Sequence, residues 1–224
     1  MIDAFNSVID YYVGFSAELK ASLIIIGFLM ISTTLIGLKV KKLSPADVPK
    51  GSSFVGVIFV GAINDMMHDF FSVHWKKFTP YLLTILLYLM FANTASLAGM
   101  SAPMSNINIA LGFSLLAFGS VQVSALFIKK PKGRAKDLLD PHPLFLPINL
   151  VGEMSTPFAM GLRLFGNLLS GAIIGIIVYG LSGWGGIVFG AFIMHPIFDL
   201  FFGLVQAYVY FMLLTIFISM AVEE

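Results

Sequence analysis

The chain has 224 residues, of which 58% are hydrophobic and only 11% are charged, whereas soluble domains carry about 25% charged residues. This composition excludes an ordinary soluble domain and predicts a polytopic membrane protein. The chain contains no cysteine, which excludes a disulfide framework and a thiolate metal site. The net charge of +1 is small, so the placement of the charges is more informative than their sum.

Apart from Lys20 and Arg163, all lysines and arginines lie in two segments, 39–77 and 129–136. Two connections carry no charged residue at all, and these are 93–108 and 180–190. By the positive-inside rule, the two basic segments face the cytoplasm and the two uncharged connections face outside. The first residues lack a basic leader region, so we expect no cleaved signal peptide.

The first part of the chain predicts an outer N-terminal segment followed by one membrane span. Residues 1–20 carry three carboxylates before the first lysine and are assigned to the outer side. Residues 21–40 form an apolar run that has the length of one transmembrane helix and ends in lysines. This span therefore runs from outside to inside.

Residues 52–75 begin apolar but carry several polar side chains in their second half, which are Asn64, Asp65, His68 and Asp69. That density is too high for a lipid-facing span, so we interpret the segment as an amphipathic or re-entrant helix at the cytoplasmic interface. His68, Asp65 and Asp69 are also ligand types for a metal ion. We favour a solvated polar face and predict no metal site and no cofactor.

Two further spans, 79–98 and 106–128, form a hairpin whose uncharged tip faces outside. The basic run 129–136 follows on the inside. A run of this kind can bind nucleic acid or anionic lipid. Its place in a cytoplasmic loop explains it without either, and we predict no nucleic-acid partner.

The last two apolar runs, 144–179 and 187–222, are unusually long. Each would form a helix of roughly 54 Å, whereas the hydrocarbon core is about 30 Å thick. Each run must therefore tilt strongly or bend, and the glycines of 180–186 predict a tight turn between them. The fold class is an all-α membrane protein with one domain, 1–224. It has about five membrane helices and an amphipathic interfacial helix, and the last two helices form a long, strongly tilted hairpin.

Arg163 lies near the middle of the run 144–179, too far from either end for its side chain to reach the headgroups easily. Helical spacing places Gly166, Asn167 and Ser170 on the same face. Such a face can bring a fixed cation close to a helix of another protein, so that an ion-bearing carboxylate can pass over it. Two structural alternatives remain. Arg163 can form an ion pair whose only role is to hold helices together, and the nearby glycines can serve ordinary close helix packing.

Other polar residues accompany Arg163 on the two long helices. Glu153 lies about 15 Å along the axis from Arg163 and is rotated by about 80°, so the two cannot form an intrahelical ion pair. On the second helix a polar stripe recurs at helical spacing, and its members are His195, Asp199, Gly203, Gln206 and Tyr210. Since the two helices run in opposite directions, Glu153 is displaced toward the cytoplasm, and His195 and Asp199 are displaced outward.

This arrangement predicts two aqueous half-paths for an ion with a cation between them. Carboxylates and imidazole can relay protons or attract cations, whereas a guanidinium remains protonated. Two structural alternatives stay open. His195 can be a satisfied core residue, and an Asp199–His195 hydrogen bond can simply hold the bundle together.

The motif Gly161-Leu162-Arg163-Leu164-Phe165-Gly166-Asn167 closely resembles that of subunit a of F-type ATP synthases, the membrane stator beside the rotating c-ring. Glu153 upstream supports the resemblance, as do Gln206-Ala207-Tyr208-Val209-Tyr210 and Leu214-Thr215 in the last helix. The resemblance implies that Arg163 is the essential stator arginine and that Asn167 and Gln206 line the same polar strip. It also implies that Glu153 belongs to the cytoplasmic half-channel and Asp199 to the outer one.

The resemblance implies the partners of the chain as well: the c-ring, peripheral-stalk subunit b, the lipid bilayer and translocated H⁺ or Na⁺. It implies no catalytic residues in this chain, since the ATP chemistry belongs to other subunits. It favours the bacterial plasma membrane, with the mitochondrial inner membrane as the alternative. The chain departs from many family members at Ala172, where they carry an acidic residue or histidine.

The alternative function is a stand-alone secondary cation transporter or antiporter, with Asp199 and Glu153 as its carrier carboxylates. The sequence has no internal repeat of the kind that many such transporters show. A third alternative is a purely structural scaffold, which would tolerate removal of the Arg163 charge.

Overall fold

The computed structural model describes residues 14–42, 49–71, 75–139, 142, 144, 146–194 and 196–223, and the regular secondary structure within those ranges is helical throughout. The α-helices are α1 (Ala17–Lys41), α2 (Ser52–Phe70), α3 (Trp75–Asn93), α4 (Ile107–Leu139), α5 (Leu146–Phe189) and α6 (Gly203–Glu223). Two short 3₁₀ helices, Ala95–Ala98 and Pro103–Ser105, connect α3 to α4. Two π-helical segments, Gly190–Met194 and Pro196–Phe202, connect α5 to α6.

Four of the described helical stretches are long and apolar enough to cross a membrane, and they are Ala17–Lys41, Ile107–Lys129, Leu146–Gly180 and Pro196–Val222. The all-α membrane class is therefore confirmed, with four such stretches where the sequence analysis counted about five. The difference is α3, because Lys76 and Lys77 occupy its first turn and shorten its apolar part. Instead, α3 buries a continuous face inside the bundle.

Helix α2 covers most of the segment 52–75 that we predicted to be amphipathic, and it ends at Phe70. In its second half Asp65 and His68 are exposed, whereas Ile63 and Met67 are buried in the core. Polar and apolar side chains are thus separated onto two faces, as in an amphipathic helix.

The basic run 129–136 continues helix α4, so the helix extends beyond its apolar stretch Ile107–Lys129. Lysine, arginine and alanine are good helix formers, and nothing in their chemistry ends a helix at the membrane surface. Pro131 lies inside the helix, where its missing N–H removes a single backbone hydrogen bond.

The glycine segment 180–186, predicted to be a turn, keeps helical backbone hydrogen bonding as part of α5. The chain nevertheless reverses close to this place. A Cβ atom added to Gly190 would lie 2.5 Å from the Tyr179 hydroxyl, whereas a straight helix would set these two residues about 16 Å apart along its axis. The hairpin is therefore present, but its reversal is built from bent helical backbone.

The core lies around α6, which packs against both α3 and α4. Tyr210 of α6 is fully buried, and its hydroxyl donates a hydrogen bond of 2.7 Å to the backbone carbonyl of Phe113 in α4. Tyr88 of α3 stacks on the other side of Phe113, with ring centroids 5.2 Å apart. The Tyr88 hydroxyl is hydrogen-bonded to Ser22 of α1 at 2.6 Å. These contacts connect four helices in one continuous cluster.

Helices α4 and α5 are in close contact at Gly161. A Cβ atom at this position would overlap the Ser114 hydroxyl and lie 2.5 Å from the backbone carbonyl oxygen of Ala110. Backbone cannot move aside as a flexible side chain can. Gly161 therefore fixes the distance between α4 and the helix that carries Arg163.

We predict that Gly161→Ala destabilises the protein by about 1 to 3 kcal/mol, because the added methyl group forces α4 and α5 apart. The measurement is thermal unfolding of the purified chain in detergent, followed by circular dichroism. Gly152→Ala is the matched control, since a Cβ atom there meets nothing within 4 Å. Equal unfolding temperatures for the two variants would contradict the assigned helix contact.

Candidate functional site

Arg163 lies midway along the apolar stretch Leu146–Gly180 of α5. Each end of that stretch is about 25 Å away along the helix axis. The side chain is exposed at the surface of the chain. A guanidinium at this depth therefore cannot rely on the headgroup regions for its partners.

The helix face around Arg163 is open and built from small or apolar residues. A Cβ atom at Gly166 would meet nothing within 4 Å, and Ser170 is exposed. The neighbouring Leu162 and Ile173 are 47% and 49% exposed. On an adjoining face of the same helix, Met160 and Leu164 are buried against the bundle. Arg163 therefore points away from the core of its own chain, toward whatever covers α5.

Toward the N-terminal end of α5 from Arg163, Glu153 contacts α4. The Gln122 side-chain amide donates a hydrogen bond of 2.7 Å to a carboxylate oxygen of Glu153. Pro157 lies one turn further along α5 and has no N–H to donate to the Glu153 carbonyl. The helix thus contributes both a carboxylate and an unusually polar backbone at this depth.

Next to Arg163, the two arms of the hairpin are joined by an amide pair. The side-chain amide nitrogen of Asn167 donates a hydrogen bond of 2.9 Å to the side-chain amide oxygen of Gln206. Gln206 is only 7% exposed. The bond fixes the register of α5 against α6 beside the arginine, and it supports the expectation that both residues lie along one strip.

Toward the C-terminal end of α5 from Arg163, the hairpin and the α3–α4 connection line a cavity of about 310 Å³. Its polar lining residues include Ser96, Ser101, Ser105 and Asp199. The wall opposite the serines contains Gly171 and Ala172. Ala172 is the position at which this chain departs from the resembled family, in which many members carry an acidic residue or histidine. Ala172 therefore faces a cavity whose other wall carries serine hydroxyls.

Asp199 belongs to the π-helical segment Pro196–Phe202 and is 9% exposed. A π-helical turn is wider than an α-helical one and often occurs at functional sites. The described members of the predicted polar stripe, Asp199, Gly203, Gln206 and Tyr210, are all buried. His195 lies outside the described residues.

Two polar atoms near this cavity are buried without a hydrogen-bond partner within the described part of the chain, and they are Asn93 Oδ1 and Ser96 Oγ. The Asn93 amide nitrogen donates a hydrogen bond of 3.0 Å to the Gly203 carbonyl at the start of α6. Buried polar atoms of this kind are usually satisfied by ordered water when the site is large enough. The cavity beside Ser96 is large enough, so we expect it to hold water.

The structure thus brings together Asn167 with Gln206, and Asp199 with Ala172, but it does not bring Glu153 to Arg163. The sequence analysis missed Gln122 and the three serines. Gln122 is separated from Glu153 by 31 positions, and a polar residue in an apolar helix was the only signal that could have identified it.

Since the chain has no cysteine, single cysteines report water access directly. We predict that Ser96→Cys reacts with silver ions or a small hydrophilic thiol reagent, because the reactive thiolate needs water and the cavity supplies it. Ala92→Cys, one turn earlier on α3 and fully buried, is the control and should stay unreactive. A cysteine at position 96 that is as unreactive as the control would show that the cavity is dry or closed.

Comparison with known proteins gives one consistent family. The family described as ATP synthase A chain matches residues 21–219. The chain is 30% identical to "ATP synthase subunit a 2" of a Bradyrhizobium species over 180 residues. The aligned region covers 79% of this chain and 78% of the relative. It is 31% identical over 209 residues to "ATP synthase subunit a 2" of Chlorobaculum tepidum, covering 86% of this chain and 59% of the relative.

A further relative is "ATP synthase subunit a, sodium ion specific" of Propionigenium modestum. It is 29% identical over 180 residues, which cover 73% of this chain and 61% of the relative. The family match extends across the described helices and includes the whole Arg163 motif. The chain therefore belongs to the ATP synthase A chain family.

Proposed function

We propose that this chain is the ion-conducting stator of a rotary ATP synthase, in which Arg163 faces the c-ring and two offset half-paths connect that ring to the two sides of the membrane. The observation that carries the proposal is the position of Arg163. It lies halfway along an apolar stretch and is exposed on a face of small and apolar residues. A charged side chain facing lipid at the helix centre costs about 2.5 to 3.5 kcal/mol or more. A protein partner that carries a carboxylate removes this cost.

The c-ring-facing surface consists of Arg163, Gly166, Asn167 and Ser170. Small side chains let another helix approach closely, and the open space at Gly166 leaves room for it. An ion-bearing carboxylate on a ring helix would then pass within reach of the guanidinium. Because the guanidinium stays protonated, it favours the ionised form of that carboxylate and so promotes release of the ion.

The cytoplasmic half-path is assigned to Glu153 together with Gln122. The carboxylate supplies a site that attracts a cation or exchanges a proton, and the hydrogen bond of 2.7 Å from Gln122 holds it in position. Glu153 lies about 15 Å from Arg163 along α5 toward the cytoplasmic end. An ion leaving the ring on this side would pass Glu153 before it reaches the cytoplasm.

The outer half-path is assigned to the cavity lined by Asp199. Its serine hydroxyls can coordinate a hydrated ion or hydrogen-bond to ordered water that conducts a proton. The serines would thereby replace the polar side chain that is missing at Ala172. His195 is proposed as an additional member of this path because of its spacing from Asp199. The Asn167–Gln206 bond lies between the two half-paths and, with Arg163, prevents a direct leak.

The proposed partners are the c-ring and peripheral-stalk subunit b, and the proposed location is the plasma membrane of a bacterium. The relatives from Bradyrhizobium and Chlorobaculum support that location. The transported ion is H⁺ or Na⁺. Na⁺ stays a candidate beside H⁺ because one relative is named as sodium ion specific. Family membership favours the stator over a stand-alone transporter.

We predict that Arg163→Ala abolishes ATP-driven ion pumping, since no fixed cation then displaces the ion from the ring. The measurement is pumping by inverted membrane vesicles that contain the assembled complex. Arg163→Lys keeps the charge but lacks the planar guanidinium, and it should retain less than a tenth of the wild-type rate.

The control is Leu162→Ala, which changes an exposed neighbour on the same helix without changing charge. It should pump at a rate close to that of the wild type. Pumping by Arg163→Ala near the wild-type rate, in complexes shown to be intact, would remove Arg163 from the transport mechanism and leave the scaffold alternative.

A further inference from the structure

A second concave surface lies between α3 and α4, and none of its lining residues belongs to the proposed ion path. It is a groove of about 660 Å³. Its walls are formed by Lys77, Phe78 and Tyr81 of α3 and by Leu116, Val123 and Phe127 of α4. Phe127 is 84% exposed and Val123 is 50% exposed, so the groove opens to the outside of the bundle.

The groove is apolar along most of its length and has its cation at one end. Lys77 lies in the first turn of α3, and the antiparallel α4 passes it near Ile128, next to the basic run 129–136. The positive-inside rule places this end at the cytoplasmic surface. The cytoplasmic leaflet carries anionic lipid, and basic pockets between transmembrane helices on this side bind anionic headgroups.

The length of the groove identifies the kind of occupant. From Ile128 to Leu116 it extends about 18 Å along α4, which is close to the depth of one leaflet, about 15 Å. A transmembrane helix of a partner would need a contact surface through the full thickness of about 30 Å. A groove of one-leaflet depth with a cation at its surface end fits a phospholipid with an acyl chain along the helices.

A hydrogen bond joins the two walls of the groove and fixes their separation. The Tyr81 hydroxyl is hydrogen-bonded to Ser120 across the groove, and Ser120 in turn donates to the Leu116 carbonyl at 2.6 Å. Tyr81 lies about 6 Å deeper than Lys77 along α3, where tyrosine commonly marks the boundary between headgroups and hydrocarbon. A Cβ atom at Gly119 would meet nothing within 4 Å, so the groove floor is open there.

We propose that this groove is a binding site for an anionic phospholipid of the cytoplasmic leaflet, with its phosphate at Lys77 and one acyl chain along Val123 and Leu116. The site is separate from Arg163 and does not depend on the ion path. It also accounts for a lysine that no part of the proposed transport mechanism uses.

The test is native mass spectrometry of the full-length chain in detergent, titrated with phosphatidylglycerol or with phosphatidylcholine that has the same acyl chains. Phosphatidylglycerol should bind more tightly. Lys77→Gln should weaken its binding about fivefold, since a lysine near the surface contributes about that factor toward anionic lipid. Gly119→Leu should weaken the binding of both lipids, because the added side chain fills the groove.

The chain offers matched controls for both substitutions. Lys76→Gln removes a neighbouring charge that lies over the Trp75 ring rather than in the groove. Gly112→Leu adds the same side chain to α4 at another open glycine. Both variants should bind phosphatidylglycerol like the wild type. Equal binding of the two lipids, or equal losses in the variants and their controls, would overturn the proposal.

A second measurement distinguishes a lipid from a protein occupant. Phe127→p-benzoylphenylalanine should give a photo-adduct with phospholipid in native membranes, because this side chain is exposed at the groove. An adduct with the helix of another subunit would overturn the lipid site and make the groove a protein interface.

Discussion

The structure depends on one constraint, a guanidinium fixed halfway along an apolar helix. Arg163 lies at the middle of Leu146–Gly180, and its side chain leaves the bundle instead of entering it. Neither lipid nor the core of the chain offers such a group a stable environment. The surrounding residues fit this position. Gly166 leaves open space beside the guanidinium, and the polar groups Glu153 and Asp199 lie toward opposite ends of α5.

The rest of the fold holds this arginine at a defined position. Gly161, two residues before it, brings α5 into direct contact with the α4 backbone, and the Asn167–Gln206 bond fixes α6 at the other side. Tyr210 anchors α6 in the core through Phe113. The chain belongs to the ATP synthase A chain family, and a stator subunit needs a rigid framework around its functional residues.

Composition and helical spacing were sufficient to predict the membrane class and the long hairpin, because these depend on local sequence. They did not predict the helical backbone of 180–186. Glycine weakens a helix by only about 1 kcal/mol per residue, and backbone at membrane depth must satisfy its hydrogen bonds internally. Nor did they identify Gln122 or Ser96, since each reaches the site from a different helix. Contacts between distant residues are set by packing, which spacing along one helix does not reveal.

The most direct test of the account is disulfide cross-linking of the Arg163 face to the rotor. One cysteine is introduced by Ser170→Cys and another into the ring subunit, one helical turn from its ion-binding carboxylate. The account predicts rapid cross-linking and no cross-link from Gly152→Cys, which lies on the same helix nearer its N-terminus. A cross-link from Gly152→Cys alone, in intact complexes, would show that the arginine does not face the ring.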